Sequence, residues 1–362
     1  MEKEKIYLWG TGIIARRVLQ SVEIDNNYNV LGIIDNNSDK WGTYFLSYKI
    51  YSPDVLTTSN FDAVAVLNDS YLDINMQIET MLKKRVQVWN KNYFYQQKIL
   101  ERYNEAKDLE IQRVIQYIEE NGLDIFNYSY VNMYKDKNIS IYLDSGSGLY
   151  YVVHKGKKMF MKRSFETIND VKNYYYSLLI EQDQESPHHY LDDKFELPQR
   201  AIVADVGAAE GIFTLDNIEK IEKAYVFECD EEWVEALEKT FEPYEKKVTI
   251  IQKYVGDYVD ERSIRLDEYK KCGINFIKMD IEGAECIALE GAKEIIGDSK
   301  NMECAICAYH AEYDEQAIRW MLSEYGMETS TTDGYMWFPY DIKNKKVSTK
   351  LVRGIVRGVK NR

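Results

Sequence analysis

The feature that most constrains the fold is a short apolar run followed directly by an acid and two glycines. Residues 201–204 read Ala-Ile-Val-Ala, and residues 205–211 continue as Asp-Val-Gly-Ala-Ala-Glu-Gly. Glycine lets the backbone turn sharply and approach a ligand that a Cβ atom would displace. A helix after such a turn directs its free N–H groups towards the same place. The pattern predicts a buried strand, a ligand-binding turn and a helix; a turn that only connects strand to helix is the alternative.

Further apolar runs downstream predict more strands, over residues 224–228, 248–251, 274–280 and 303–310. Each run ends in, or leads within a few positions to, a residue with a titratable side chain. The residues at the predicted strand ends are Asp205, Glu228, Asp257, Asp280 and His310. Ligands of open α/β sheets bind at the carboxyl ends of the strands. We therefore expect these side chains to surround one site.

The acid at the first strand end indicates S-adenosylmethionine (SAM) rather than a dinucleotide as the ligand. SAM carries no pyrophosphate at this position, so a carboxylate can face its amino-acid end and its sulfonium without like-charge repulsion. Glu228, 23 positions after Asp205, is placed to accept hydrogen bonds from the ribose hydroxyls, because a carboxylate only accepts. Residues 254–257 are predicted to lie at the edge of the adenine ring. The residues predicted to bind the cofactor are Asp205, Gly207, Ala208, Glu210, Gly211, Glu228, Gly256 and Asp257.

A family resemblance is carried by residues 278–285, which read Lys-Met-Asp-Ile-Glu-Gly-Ala-Glu, and by Ala-Leu-Glu-Gly-Ala at 288–292. These strings resemble the signature of the FkbM family of SAM-dependent methyltransferases, and Leu-Asp-Glu at 266–268 also matches. Residues 181–190 resemble a segment found before the first strand in one branch of that family. The resemblance covers about residues 165–340. It implies a class I methyltransferase domain that usually methylates a hydroxyl oxygen on a sugar, glycan-like or polyketide substrate.

Methyl transfer to a sugar hydroxyl needs a base, because a neutral hydroxyl is a weak nucleophile. His310 is one candidate, since the ordinary pKa of histidine is near 6.5, and Asp280 is another. Lys278 shares a strand face with Asp280, two positions away. The predicted catalytic residues are therefore Asp280, Lys278 and His310, and the choice of base stays open.

Three further residues are predicted to contact the substrate, and they are Glu282, His188 and His189. Local packing in a loop is the alternative interpretation for the two histidines. Asp280, Glu282 and Glu285 could together bind a divalent ion, but no His or Asn completes an evident ligand set. We predict no metal.

The N-terminal stretch carries a second, shorter glycine pattern. Gly10-x-Gly12-x-x-Ala15, with Asp35 about 20 residues further on, fits the spacing of a dinucleotide fingerprint. The pattern predicts strands over 5–9, 30–34, 61–67 and 86–89 and a helix over 15–22. The stretch resembles the Rossmann-like N-terminal domains of bacterial enzymes that modify nucleotide sugars and surface polysaccharides. Binding of a nucleotide sugar and a structural or pairing role both stay open; redox chemistry is disfavoured, since no Tyr-x-x-x-Lys pair follows.

The chain is predicted to be an α/β protein of three parts and a tail. Residues 1–95 form the N-terminal Rossmann-like domain, 96–198 a connecting region, and 199–340 the class I (Rossmann-like) methyltransferase sheet with an antiparallel last strand. In the connecting region, periodicity predicts helices over 96–120 and 168–181 and a small antiparallel sheet from 131–134, 140–143 and 149–153. We interpret this region as a lid or platform on the methyltransferase.

The C-terminal segments complete the predicted sheet and add a basic tail. Residues 327–329 and 334–338 are predicted to form an antiparallel hairpin at the sheet edge. The tail, 341–362, contains eight Lys or Arg residues and a single acidic residue, Asp341. Its apolar residues make a basic amphipathic helix possible, and they are Leu351, Val352, Ile355, Val356 and Val359. A frayed end or a cover on the acidic body is the first interpretation of this tail, and contact with a membrane surface or a partner is the second.

Composition restricts the partners and the compartment. The formal net charge of −14 argues against a nucleic-acid partner, whose phosphates would be repelled over most of the surface. Five cysteines, mostly within apolar runs, indicate reduced thiols in a cytoplasmic protein. No stretch approaches the roughly 20 apolar residues of a membrane span, and the N-terminal Met-Glu-Lys-Glu-Lys does not resemble a signal peptide. The oligomeric state stays open.

Together these observations predict a SAM-dependent O-methyltransferase that acts on a sugar hydroxyl in surface polysaccharide or related glycan biosynthesis. The alternative acceptors are a non-sugar small molecule, a lipid hydroxyl or an amine. A non-catalytic scaffold that binds SAM or a nucleotide sugar is the alternative from another class.

Overall fold

The computed structural model describes residues 2–135, 137–341 and 346–360. The chain divides into two compact units, Met1–Ile125 and Phe126–Arg362. In the described part of the chain, none of the helices combines the length and apolar character needed to cross a membrane.

The first unit is a mainly parallel α/β sheet with helices between its strands. Its strands are β1 Glu4–Trp9, β2 Tyr28–Ile34, β3 Tyr44–Phe45, β4 Tyr48–Tyr51, β5 Ala63–Val66 and β6 Gln87–Trp89. Its helices are α1 Ile13–Ser21, α2 Ile24–Asn27, α3 Val55–Thr58, α4 Tyr71–Leu82, α5 Tyr93–Tyr103 and α6 Leu109–Asn121. The strands lie in the order β3-β4-β2-β1-β5-β6, and the β3–β4 pair is antiparallel.

The first unit confirms the predicted α/β character of the N-terminal stretch and adds detail. β5 is an unbroken apolar run with all its residues buried, as expected of a strand covered on both faces. The short β3–β4 hairpin was not predicted, because two-residue strands leave no periodic signal. The helix predicted over 96–120 is two helices, and Asp108 caps the second by accepting from the N–H groups of Glu110 and Ile111.

The second unit holds the remaining elements. Its strands are β7 Ile141–Leu143, β8 Tyr150–His154, β9 Lys157–Phe160, β10 Ala201–Val206, β11 Ile221–Phe227, β12 Val248–Ile251, β13 Tyr254–Val255, β14 Ser263–Ile264, β15 Phe276–Met279, β16 Met302–Cys307, β17 Glu328–Thr331, β18 Met336–Trp337, β19 Tyr340–Asp341, β20 Lys346–Val347, β21 Leu351–Val352 and β22 Ile355–Lys360. Its helices are α7 Ile168–Glu181, α8 Ile212–Asp216, α9 Glu231–Phe241, α10 Glu285–Glu290, α11 Lys293–Asp298 and α12 Asp314–Glu324.

The main sheet of this unit has the strand order β12-β11-β10-β15-β16-β22-β17. β22 is antiparallel to both of its neighbours, whereas the strands from β12 to β16 pair in parallel. This arrangement confirms the predicted class I sheet with an antiparallel last strand. Successive residues of β10 face opposite sides, since Val203 packs in one apolar core and Ala204 in the other. Covering both faces leaves the carboxyl ends of the strands as the accessible edge.

The amphipathic helix that the apolar residues of the basic tail make possible does not form. Residues Ile355–Lys360 form β22 inside the sheet, where Val356 pairs with Ile306 on one side and Thr331 on the other. A short apolar run does not distinguish helix from strand, and here two open strand edges supply hydrogen-bond partners on both sides. Three basic residues of the tail, Lys343, Lys345 and Arg362, lie outside the described residues.

The position of β22 also changes the predicted hairpin and buries a charge. β17 pairs with β22, and β18 pairs with β21, so the predicted hairpin between 327–329 and 334–338 does not form. Arg357 of β22 is 6% exposed, pairs with Asp192, and lies with its guanidinium carbon 4.9 Å from the centre of the Phe195 ring. Residues 355–360 of the tail are therefore part of the sheet and not a frayed end.

The region before β10 agrees with the prediction in part. β7, β8 and β9 form the small antiparallel sheet. The segment predicted as its first strand is a 3₁₀ turn at Ser129–Tyr134, and the third strand is β9 instead. Helix α7 has the predicted bounds, because Thr167 and Asp170 form a capping box at its start.

Candidate functional site

A cavity of about 580 Å³ opens at the carboxyl ends of β10, β11 and β15. Its wall includes residues directly after each of these strands, namely Gly207, Glu228 and Asp280. The end of α7 forms another part of the wall through Tyr174 and Glu181. The cavity therefore lies at the sheet edge where ligands of open α/β folds bind.

The glycine turn after β10 adopts a backbone that only small residues permit. Gly207 has φ +70° and Gly211 has φ +81°. A Cβ atom on Gly207 would overlap the carbonyl oxygen of Asp280, and one on Gly211 would lie 2.7 Å from Leu237 Cδ2. Gly207 and Ala208 line the cavity. The turn thus brings the backbone close to the space where a ligand would lie.

Glu210 also lines the cavity, and its carboxylate accepts a hydrogen bond from the hydroxyl of Tyr174. Burial raises the pKa of Glu210 to about 7, against the opposing effect of that hydrogen bond. Glu210 is therefore partly protonated near neutral pH, and it can donate as well as accept a hydrogen bond. That capacity suits the amino-acid end of SAM, which carries both an ammonium and a carboxylate.

Glu228 is fixed at the cavity wall by backbone hydrogen bonds. Its Oε2 accepts from the N–H of Ala209 at 2.9 Å. Its Oε1 accepts from Cys229 at 2.8 Å and from Asp230 at 2.9 Å. Each carboxylate oxygen has about two acceptor directions, so Oε2 can still accept from one ligand hydroxyl. This geometry fits the predicted ribose contact.

Asp205 lies behind the cavity wall and not on it. Its side chain is fully buried, and its Oδ2 accepts from the Thr214 hydroxyl at 2.7 Å. Its Oδ1 lies 3.2 Å from Lys278 Nζ. Lys278, which does line the cavity, also donates to Gly207 O at 2.6 Å. Asp205 therefore supports the glycine turn through Lys278, where direct contact with the cofactor was expected.

The charge of Lys278 follows from its neighbours. Burial alone would lower its pKa, but the carboxylates of Asp205 and Asp280 raise the pKa above its ordinary value. Lys278 is consequently a cation at neutral pH and has no free electron pair with which to take a proton. It fixes the turn and supplies positive charge to the cavity.

Asp280 and His310, both predicted to be catalytic, are neighbours in the structure. Asp280 Oδ1 lies 3.5 Å from His310 Nε2, and the other ring nitrogen of His310 lies 3.0 Å from Glu285 Oε1. Burial alone would raise the pKa of Asp280, but the positive charges of His310 and Lys278 lower it below its usual value. Asp280 is therefore a stable carboxylate, and its Oδ2 accepts from the Tyr190 hydroxyl at 3.2 Å.

His310 differs from the sequence-based expectation in its protonation state. Burial alone would lower its pKa, but the hydrogen bond to Glu285 and the charge of Asp280 raise the pKa to about 9. His310 is thus an imidazolium at neutral pH, held between two carboxylates and buried behind the cavity wall. It stabilises Asp280 rather than offering a free base.

The two adjacent histidines before β10 lie in different surroundings. His188 is buried, and its Nε2 lies 3.1 Å from the Tyr309 hydroxyl and its Nδ1 3.3 Å from Glu181 Oε1. Burial lowers the pKa of His188 to about 4, so the ring is neutral. His189 instead lines a second cavity of about 530 Å³ with Lys155 and Asp192. The structure brings only His188 next to the cavity residues described above.

Of three further residues that were predicted for the site, only one lines the cavity. Glu282 lines the cavity, with φ +55°, and is exposed. Gly256 and Asp257 do not line it; Asp257 is exposed to solvent, and the corresponding part of the wall is formed by Lys253–Val255. The chain turns away after β13, because Gly256 O is packed tightly against Gly291, where a Cβ would overlap it.

Glu181 and Tyr309 line the cavity and were not predicted as site residues. Burial and the charge of Asp280 raise the pKa of Glu181 to about 7. Glu181 begins the segment 181–190 that carries part of the family resemblance, and this was the signal available in the sequence. Tyr309 follows the end of β16 next to His310, a position that strand-end reasoning could have included.

Two groups of ligand-type side chains lie close together here: Asp280, Glu285 and His310, and His188, Asp280 and Cys307. In the first group, His310 faces Asp280 with one ring nitrogen and Glu285 with the other. A single ion cannot replace both contacts, because it binds one nitrogen of a ring. The geometry favours a charged histidine between two carboxylates over a bound cation.

The sheet order and a cavity with these groups at its strand ends define a class I methyltransferase domain. Residues 238–328 match the model of the methyltransferase FkbM domain, and residues 2–88 match the model described as C2185-like, N-terminal. The second unit therefore carries an FkbM methyltransferase domain, and its cofactor is SAM. No curated protein sequence matches the chain significantly.

Solved structures similar to this chain include several methyltransferases. Precorrin-6y C5,15-methyltransferase from Geobacter metallireducens is 11% identical, with a TM-score of 0.35, and the match covers 50% of this chain and 91% of that one. A SAM-dependent methyltransferase from Aquifex aeolicus is 15% identical, with a TM-score of 0.32, covering 51% and 96%. Magnesium protoporphyrin IX methyltransferase from Synechocystis PCC 6803, with bound SAM, is 11% identical, with a TM-score of 0.31, covering 44% and 70%.

Proposed function

We propose that this protein transfers the methyl group of SAM to a hydroxyl oxygen of a sugar during glycan assembly. The observation that carries the proposal is the anionic Asp280 on the cavity wall, kept ionised by His310 behind it. A carboxylate in this position accepts hydrogen bonds from hydroxyls, of which a sugar offers several. Glu282 and Tyr309 add further polar groups to the same wall.

The roles of the residues follow from their positions. Bound SAM supplies an electrophilic methyl group on a positive sulfur. Glu228 accepts from one ribose hydroxyl, and Lys278 fixes the Gly207 turn by its hydrogen bond of 2.6 Å. Asp280 accepts from an acceptor hydroxyl next to the one that reacts, which orients the sugar. Holding the reacting atoms in line and close together supplies much of the rate enhancement.

The same domain could act on a non-sugar hydroxyl or an amine, or bind SAM without catalysis, and one assay separates these outcomes. Purified protein is incubated with methyl-labelled SAM and a panel of nucleotide sugars, oligosaccharides, phenols, lipid alcohols and amines, and products are identified by mass spectrometry. We expect an O-methylated sugar, and we expect Asp280→Asn to lose transfer while still binding S-adenosylhomocysteine. Methylation confined to non-sugar acceptors would overturn the sugar assignment. Binding of S-adenosylhomocysteine without any transfer would favour the scaffold.

For the first unit we propose binding of a nucleotide-linked sugar. Support comes from the end of β2, where Lys40 Nζ lies 3.0 Å from Asp35 Oδ2 and the Trp41 indole donates to Asp35 O at 2.7 Å. A cation and a partly exposed indole are group types that contact a phosphate and a planar base. Calorimetric titration with nucleotide sugars should show binding that Lys40→Met weakens. Equal affinity in the variant would leave the unit with a structural or pairing role.

A further inference from the structure

We propose that Glu181 is the general base that removes the proton from the acceptor hydroxyl during methyl transfer. This inference rests on the proposed function, because it names the proton acceptor for that same reaction. The sequence leaves the base open between Asp280 and His310, and Glu181 is not among the residues that it predicts for the site.

The position of Glu181 gives its carboxylate access to a bound acceptor. Glu181 is the last residue of α7, and it lines the same cavity as Asp280, Lys278 and Tyr309. About a third of its side chain, 33%, remains exposed. A base must come within hydrogen-bond reach of the proton that it removes, and a buried residue behind the wall, such as His310, cannot do so.

The orientation of Glu181 is set by the Gln182 amide and by a neutral histidine next to it. Glu181 Oε1 lies 3.3 Å from His188 Nδ1 and accepts from Gln182 Nε2 at 3.2 Å. Gln182 Nε2 also lies 3.4 Å from His188 Nδ1, which accepts from it in the neutral ring, and the Nε2–H of His188 then points to the Tyr309 hydroxyl 3.1 Å away. This is the arrangement of a base held in place by a third group. His188 is accordingly a positioning residue, since it acts through Glu181.

The other titratable groups of the cavity are unsuited to the role. Asp280 is a weak base because its pKa is lowered, and Lys278 is already protonated. The charged groups that act on Glu181 are Asp280, Glu282, Glu210 and Lys278, and the hydroxyls near it belong to Tyr174, Tyr190 and Tyr309. Burial first, and Asp280 next, raise the pKa of Glu181 to about 7. A base is most effective when its pKa lies near the working pH.

The proton and electrons balance in a single step. The acceptor oxygen uses a lone pair to form the new O–C bond while the C–S bond breaks, and the electron pair of that bond returns to sulfur. The proton of the acceptor hydroxyl passes to the Glu181 carboxylate, so the products are the methyl ether, S-adenosylhomocysteine and protonated Glu181. Glu181 then releases the proton to water through its exposed fraction.

The first test measures the pH dependence of kcat/KM for the acceptor in the wild type, Glu181→Gln and Glu185→Gln. Glu185 is exposed and lies four residues further along, which makes it a matched control. We expect the wild type and the control to lose activity tenfold per pH unit below about 7. Glu181→Gln should lower kcat by about 10²- to 10⁴-fold and abolish the dependence near pH 7, with unchanged affinity for S-adenosylhomocysteine. Retention of that dependence in Glu181→Gln would overturn the assignment.

A second measurement does not depend on the acceptor, so it separates this inference from the proposed function. Glutamate side chains labelled with ¹³C are titrated by NMR in the full chain, and the Glu181 signal is identified by its loss in Glu181→Gln. We expect Glu181 to titrate near pH 7. Titration near the ordinary value of about 4.3 would sink the assignment even if sugar methylation were found. If Glu181 titrates near 7 and no sugar is methylated, the proposed function fails instead.

Discussion

Lys278 Nζ lies 3.2 Å from Asp205 Oδ1, and the two residues face each other across the parallel pair β10–β15. Their side chains are 6% and 0% exposed. The pair lies beneath the glycine turn, because Lys278 also donates to the carbonyl of Gly207. Two signature residues of the sequence thus form one buried ion pair that holds the cofactor turn in place.

Replacing Lys278 by Met should destabilise the protein strongly. The change leaves the buried Asp205 carboxylate without its counter-charge, which costs about 3–5 kcal/mol in the free energy of unfolding. Urea denaturation followed by circular dichroism measures the effect. The control is Lys270→Met, which removes an exposed lysine paired with Glu294 and should change stability little. Adding Asp205→Asn to Lys278→Met should recover part of the loss; no recovery would mean that the ion pair is not the cause.

Glu228→Ala should weaken the binding of S-adenosylhomocysteine. Loss of a charged acceptor for a ribose hydroxyl costs about 1–3 kcal/mol, or roughly 5- to 150-fold in Kd. Isothermal titration calorimetry measures this directly. The matched control is Glu222→Ala on β11, the strand that Glu228 follows, where the carboxylate pairs with Arg200 on the surface. Equal affinity in Glu228→Ala and the wild type would show that the ribose lies elsewhere.

Gly207→Ala should abolish cofactor binding and destabilise the second unit. Gly207 has φ +70°, and an added Cβ would overlap the carbonyl oxygen of Asp280. Gly156→Ala provides a matched control, since Gly156 has φ +81° but no atom within 4 Å of its Cβ position. The control should lose only the roughly 1–2 kcal/mol of left-handed backbone strain. Similar losses of stability in the two variants would argue against the overlap with Asp280.

The raised pKa of His310 predicts a pH dependence of stability. Because the pKa is about 9 in the folded protein and near 6.5 when unfolded, protonation of His310 stabilises the fold. This contribution, on the order of 3 kcal/mol, is fully present below pH 6.5 and is lost as the pH rises through 9. Denaturation at a series of pH values should show the loss in the wild type and not in His310→Gln. Parallel curves for the two proteins would mean that His310 is neutral.

Much of the site was predictable from the sequence, because several of its residues directly follow strands of the main sheet. The apolar runs before Asp205, Glu228 and Asp280 predict parallel strands, and the carboxyl ends of such strands meet at one edge. The prediction failed for Asp257 because a short pairing, β13 with β14, turns the chain away before that residue. Local pattern does not contain this information.

The protonation states could not be predicted from residue types. His188 and His310 have the same ordinary pKa, yet burial lowers the first to about 4, and two nearby carboxylates raise the second to about 9. The sequence does not predict a site role for Glu181, because a glutamate at the end of a helix resembles any solvated acid. Its distance from His188 and its burial near Asp280 depend on how α7 packs over the sheet.

The sequence by itself determined three features: where the main strands lie along the chain, the glycine turn and the cofactor class. Each of these depends on residues close together in the chain. Only the tertiary structure decided that the basic tail is the strand β22 and that Asp205 faces Lys278 instead of the cavity. It also decided which histidine carries the charge. Strand pairing and pKa values depend on contacts between residues far apart in sequence, and these form only when the chain is folded.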